Sequence, residues 1–340
     1  MKAIFDARQR AHDPKHFMAN GRLSANPEQP QRIDELTRGA RAAGCDFASP
    51  ADHGLGPIAE IHSPEYLTFL ETIHARWQRT EGASEEVIPN VHPDRRTASY
   101  PSSAAGQAGF HQTDTSCPIA AGTWQSAYWS AQSALSAAIG VLGGERTVYA
   151  LCRPPGHHAF GDLAGGFCFF NNAAIAAQAL LRAGRRPAIL DVDVHHGNGT
   201  QGIFYRRRDV LTVSIHADPA RFYPFYWGHA AERGEDEGMG YNLNLPLPRG
   251  TVTEDYLTAL DLALDRIRSF GADVLVLALG LDAHENDPFH GFKVTTPGFA
   301  EIAARIAGLD LPAVIVQEGG YLSADLGDNL TSFLKGYEAA

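Results

Sequence analysis

Short apolar runs recur along the chain at 147–152, 187–192, 210–216, 273–279 and 312–317. Each is nearly continuous rather than alternating, as parallel strands covered on both faces are. Between them lie helical patterns. Residues 172–183 are rich in Ala and Leu and stop at Gly184, residues 253–270 open with Thr253-Glu254-Asp255 and stop at Gly271, and residues 296–307 open with Thr296-Pro297 and stop at Gly308. These start and stop signals predict three helices. Strands alternating with helices predict an α/β domain with a central parallel sheet. The stretch 78–121 is rich in Ser, Pro, Gly, Thr and His without clear periodicity, and is expected to be a long loop, an inserted binding or interface arm. No stretch reads as a linker, so one domain over 1–340 is expected.

Composition narrows the partners. A hydrophobic fraction of 44% and a charged fraction of 20% suit a globular chain with a large core. The formal net charge of -11 argues against nucleic acid and favours cationic ligands. The first residues form no signal peptide, and no apolar run reaches the roughly 20 residues that span a bilayer, so a cytoplasmic protein without a membrane partner is expected. Cys45, Cys117, Cys152 and Cys168 form no CxxC pair and read as reduced core residues.

Chemistry concentrates where these strands end. In Asp191-Val192-Asp193-Val194-His195-His196-Gly197, residues two apart on a strand point the same way, so Asp191, Asp193 and His195 share a side while Val192 and Val194 face the core. Asp282 ends another strand. Asp193, His195 and Asp282 would make a three-ligand metal site with an open position, the catalytic arrangement; zinc fits, and ferrous iron competes because the set is rich in carboxylates.

A second cluster, Arg153-Pro154-Pro155-Gly156-His157-His158, places paired histidines at a strand end, suited to proton transfer. Asp191 is the expected partner of His157 and would favour its protonation. Asn198, as partner of His158, would orient that ring without a compensating charge. His158 is therefore the expected general base. In Gln317-Glu318-Gly319-Gly320-Tyr321 two glycines allow close backbone approach, so the Tyr321 hydroxyl can donate to a developing oxyanion. His74, His92, His111, His229 and His290 read as surface or structural.

Together with Gly165-Gly166-Phe167-Cys168-Phe169-Phe170-Asn171-Asn172, the early Asn26-Pro27-Glu28-Gln29-Pro30-Gln31-Arg32 and Ile61-His62-Ser63-Pro64-Glu65-Tyr66-Leu67, these motifs resemble the histone deacetylase superfamily in order and spacing over nearly the whole chain. Within it the 78–121 insertion and the Ala121-Gly122-Thr123-Trp124 after it look most like the bacterial acetylpolyamine amidohydrolases. The resemblance implies the arginase-deacetylase α/β fold, with the active site at the carboxyl ends of the strands. It implies zinc on Asp193, His195 and Asp282, proton transfer by His157 and His158, and carbonyl polarisation by Tyr321. It implies a structural potassium site at Asp191, Asp193, His195, Ser214 and Ile215, and a second at Phe204, Arg207, Val210 and Tyr241. Gly166, Phe167 and Tyr223 would line a substrate tunnel, and the arm would join two copies in a homodimer. The implied substrate is a small cationic N-acetylated amine.

The chain has features of its own. Asn198 stands where many eukaryotic members carry Asp. From Ser99 to Trp124 the only acid is Asp114, so an acetyl-lysine side chain or another small N-acyl amine suits the core chemistry equally. A ureohydrolase would need two bridged manganese ions and more ligands than are apparent. A non-catalytic acetyl-amine binder would not need the filled catalytic positions.

Overall fold

In the computed structural model, residues 1–95 and 99–340 are described, and residues 96–98 of the expected arm lie outside them. The strands are β1 (Lys2–Ile4), β2 (His16–Ala19), β3 (Arg22–Ala25), β4 (Asp46–Ala48), β5 (Thr147–Ala150), β6 (Pro187–Asp191), β7 (Leu211–Ala217), β8 (Asn242–Leu247), β9 (Val274–Leu279) and β10 (Ala313–Gln317). Eight form one sheet in the order β4-β1-β5-β10-β9-β6-β7-β8. Every pairing in it is parallel. The five expected strands are all present, with ends shifted by a residue or two.

Alternation along each strand explains why the runs looked continuous. On β9, Leu275, Leu277 and Leu279 enter one apolar cluster while Val274, Val276 and Ala278 enter the other. Both faces are therefore core. The first is covered by the helices Arg32–Ala42, Thr253–Phe270, Thr296–Ala307 and Leu326–Ala339, through residues such as Leu36, Leu260, Ile302 and Phe333. The second is covered by Thr123–Leu142 and Asn172–Arg182, through Ala134, Ala138, Ala177 and Leu180. Each fully buried Val, Leu or Ile contributes about 1.5–3 kcal/mol, and a one-residue slip would exchange the faces. The sheet register is thereby fixed, and with it the points where the loops leave.

Segment 78–121 is not the structureless loop expected. Val87 pairs antiparallel with Ile119, its N–H donating to the Ile119 carbonyl at 2.9 Å. Between them the helix Ala104–His111 forms, with Ser103 Oγ accepting from Gly106 N. Gly106 and Gly109 weaken helix propensity, which hid this helix in the sequence. Packing supplies the stabilisation instead: Val87, Ala108, Cys117 and Ile119 share an apolar cluster with Phe69, Phe169 and Phe170. At Gly109 any side chain would strike the Val91 carbonyl. His111 is buried, its Nδ1 2.8 Å from the Asp162 carbonyl, and is structural. All four cysteines are buried and free.

Candidate active site

Four adjacent strands, β5, β10, β9 and β6, deliver the chemistry from their carboxyl ends. β5 leads into His157 and His158, β6 into Asp191 to His195, β9 into Asp282 and β10 into Tyr321. β6 ends at Asp191, so Asp193 and His195 sit on the bend that follows it. The expected division of sides holds: Val192 and Val194 join the apolar core.

The side chains of Asp193, His195 and Asp282 converge, with one candidate ligand atom from each lying within 4.8 Å of the others, all of them buried. His195 Nδ1 is 3.2 Å from Asp193 Oδ1 and 3.1 Å from Asp282 Oδ2. Backbone donors hold the carboxylates. Asp193 accepts from His195 N at 2.8 Å and Gly319 N at 2.7 Å, and Asp282 accepts from Val194 N at 3.0 Å. A side chain at Gly280 would run into the Asp193 carboxylate, and one at Gly319 into both carboxylates. These positions need glycine. Burial works to lower the pKa of His195, but its bonds to the two carboxylates raise it to about 9. Burial, then the charge of Asp193, lifts Asp282 to about 6. Two buried acids facing one imidazole call for a cation. The donor set fits a divalent metal ion with one open side.

The paired histidines stand beside this set with ring centroids 4.0 Å apart. His157 Nδ1 lies 2.9 Å from Asp191 Oδ2, and His158 Nδ1 lies 2.7 Å from Asn198 Oδ1. For His157, burial acts to lower the pKa, but the charges of Asp191 and Asp193 carry it up to about 10. For His158, burial followed by the charges of His157 and His195 holds it well below its ordinary value. One ring keeps a proton while its neighbour is free to take one.

Tyr321 is buried, and burial raises its phenol well above its ordinary pKa, so the hydroxyl stays a donor. Its ring packs against Phe289 at 4.8 Å and Phe167 at 5.8 Å. Tyr223 meets His158 edge-on at 4.9 Å, and Phe222 stacks on His195 at 4.9 Å. Aromatic walls thus surround the metal-type set. At their rim stands Asp114, half-buried, whose Oδ2 accepts from the Tyr223 hydroxyl at 2.7 Å and from Gly166 N at 3.3 Å. The single acid between Ser99 and Trp124 thus lies beside two expected tunnel residues.

Of the residues expected at the first monovalent site, Asp191 and Ser214 line a small cavity of about 10 Å³ together with His196, Gln201 and Asn244. At the second, the Phe204 and Tyr241 carbonyls accept from Arg207 N and Thr212 N, each at about 3 Å. The Tyr241 carbonyl also accepts from Thr212 Oγ1 at 3.4 Å.

Sequence reasoning did not single out several residues that shape the site. Phe222 and Phe289 complete the walls, and Asp287 Oδ2 accepts from Tyr321 N at 3.0 Å. Burial raises Asp287 to about 7. Beneath the site Glu28 Oε1 accepts from Arg32 Nη1 at 2.7 Å and Arg153 Nε at 2.8 Å, all three side chains fully buried. Arg32 continues to the carbonyls of Gly320 and Glu318 at 2.6 and 2.7 Å. Glu28, Arg32 and Arg153 lay inside quoted motifs, but a charge in a sequence does not say that it will be buried and paired.

Such a set at the carboxyl ends of a doubly covered parallel sheet defines a metal-dependent hydrolase of amide bonds. Residues 26–337 match the histone deacetylase domain, and the chain belongs to that family. Among similar proteins, the acetylpolyamine amidohydrolase of Burkholderia pseudomallei is 47% identical over 340 residues, covering 100% of this chain and 99% of that protein. That of Mycoplana ramosa is 41% identical over 339 residues, covering 99% of each. A crystal structure of the acetylpolyamine aminohydrolase from Burkholderia pseudomallei superposes with a TM-score of 0.97 at 48% identity, covering 100% of this chain and 99% of that one.

Proposed function

We propose that this protein deacetylates N-acetylated amines, acetylpolyamines foremost, releasing acetate and the free amine. The observation that carries the reading is the adjacent pair of imidazoles with opposite proton affinities beside a buried set of one histidine and two carboxylates. Full-length similarity to proteins named acetylpolyamine amidohydrolase supports the amine class. Asp114 and the net charge of -11 favour a cationic tail over a neutral one.

Asp193, His195 and Asp282 would hold a divalent ion, zinc or ferrous iron, which when bound supplies Lewis acidity to the acetamide carbonyl and the attacking water. His158, neutral and oriented by Asn198, accepts the proton of that water on its free ring nitrogen. Tyr321 donates a hydrogen bond to the carbonyl oxygen as charge develops on it. His157, held cationic by Asp191, lends positive charge beside the same oxygen. The leaving amine takes its proton from this histidine pair. The aromatic walls of Phe167, Tyr223 and Phe289 keep bulk water away while this happens.

Turnover of acetylputrescine, acetylspermidine and an acetyl-lysine peptide, compared side by side, tests the substrate. The two polyamines are expected to be used better; equal or better use of the peptide overturns the assignment. The reading extends to a potassium ion held at Asp191 and Ser214, and to a homodimer joined through 78–121, where Val91 and Tyr100 are exposed. Light scattering checks the dimer, and activity in sodium against potassium buffer checks the ion.

A further inference from the structure

Glu318 is a fully buried carboxylate with no part in the steps above. Its backbone is fixed by the sheet: its N–H donates to the Leu279 carbonyl at 2.8 Å, and its carbonyl accepts from Arg32 Nη2 at 2.7 Å. Its side chain crosses to the loop of the neighbouring strand, β5. There Oε2 accepts from the N–H of Gly156 at 2.6 Å and the N–H of His157 at 3.1 Å. Oε1 has no hydrogen-bond partner among the described residues.

A buried acid with one oxygen unsatisfied is costly, and an apolar side chain would fill the space more cheaply. What Glu318 adds is specific to the loop it reaches. Pro154 and Pro155 have no N–H, so Gly156 and His157 carry the first backbone donors by which this turn can be tied down after Arg153. Gly156 is packed so closely on its other neighbours that a side chain there would strike Asn172 N and the Phe170 carbonyl. On the other side of the clamp, the next residue along, Gly319, donates to the metal-site carboxylate Asp193 at 2.7 Å, and Tyr321 lies two residues beyond it.

We propose that Glu318 is a positioning residue, its carboxylate clamping the Gly156-His157 turn to the end of β10. The proton-transfer histidines and the oxyanion donor Tyr321 are thereby registered against each other and against Asp193. This rests on the role given above to His157. The bond is made to backbone, so it acts on where the imidazole stands rather than on its ring.

The test is steady-state kinetics on acetylputrescine with purified, metal-loaded Glu318→Ala, Glu318→Gln and Glu318→Asp, with metal content measured alongside. Glu318→Ala is expected to lose kcat on the order of 10- to 100-fold, with KM within about twofold and metal content unchanged. Glu318→Gln keeps an oxygen for both N–H groups and is expected to restore most of kcat. A kcat for Glu318→Ala within about twofold of wild type overturns the proposal. So does a loss carried by KM or metal content, or an equal loss in Glu318→Gln. Should Glu318→Ala not fold, the other two decide. Glu318→Asp keeps the charge but falls a methylene short, and must turn over more slowly than Glu318→Gln; the reverse order overturns the clamp. His157→Ala in the same assay separates the two readings. If it retains turnover, the role of His157 fails; if it collapses while Glu318→Ala does not, only the clamp fails.

Discussion

His157 and His158 are neighbours in the chain and both buried, yet they differ in proton affinity. The charges of Asp191 and Asp193 overcome burial at His157, whereas His158, facing the uncharged Asn198, is held down by burial and by the charges of His157 and His195. That difference can be moved by one atom exchange. In Asn198→Asp a carboxylate replaces the amide, stabilises the imidazolium of His158 and keeps its proton on to higher pH. The acid limb of the kcat/KM profile is expected to shift up by about one pH unit or more; an unmoved limb would remove His158 as the base. Tyr321 is a donor that acts only as charge develops on the carbonyl. Tyr321→Phe should lower kcat on the order of 100- to 1,000-fold while elemental analysis finds the same metal content, and near-normal turnover would end its assigned role.

At the level of elements, the loops matter through their glycines. Gly319 lies against both metal-site carboxylates, so Gly319→Ala should displace them and weaken metal affinity on the order of 10- to 100-fold, as read by competition with a chelator. An unchanged affinity would mean that the carboxylates have room to yield. The elements also show what a sequence discloses. β5, β6, β7, β9 and β10 are buried on both faces and stand out as apolar runs. β1 and β4 are three residues long, and β8 is only partly buried at the sheet's edge. They carry too little pattern to be seen. The helix Ala104–His111 is invisible for another reason, since its stability comes from distant Phe69 and Phe169. In the site, the spacing of two places Asp191, Asp193 and His195 together from the sequence alone. Asp282 and Glu318 come from other strands, and periodicity cannot say which strands are neighbours.

For the whole molecule, acid stability is a sum of opposing groups. Burial holds His12 and His62 down to about 3 and His216 to about 4. Between their ordinary value near 6.5 and these values only the unfolded chain binds the proton, so each removes stability as pH falls. Asp287 and Glu318, raised to about 7 by burial, act the other way: the folded chain binds their protons first and gains stability between about 7 and the ordinary carboxylate range. A variant isolates one contribution. Relative to His62→Gln, the wild type should lose about 1.4 kcal/mol of unfolding free energy per pH unit below 6.5; denaturant titrations of both at several pH values check this, and parallel curves would show that His62 titrates normally.

β10, the last strand in chain order among the described residues, is seated between β5 and β9 in the middle of the sheet. A chain emerging in order from its amino end therefore makes both flanks of the sheet before it makes their centre. Until residues 313–317 arrive, the strand bearing the histidine loop has no partner joining it to the directly paired β6 and β9 that bear the metal ligands. A nascent chain stalled before β10 would therefore hold every metal ligand and both histidines, yet lack the Gly319 N–H that braces Asp193 and the Tyr321 hydroxyl, and would be no catalyst.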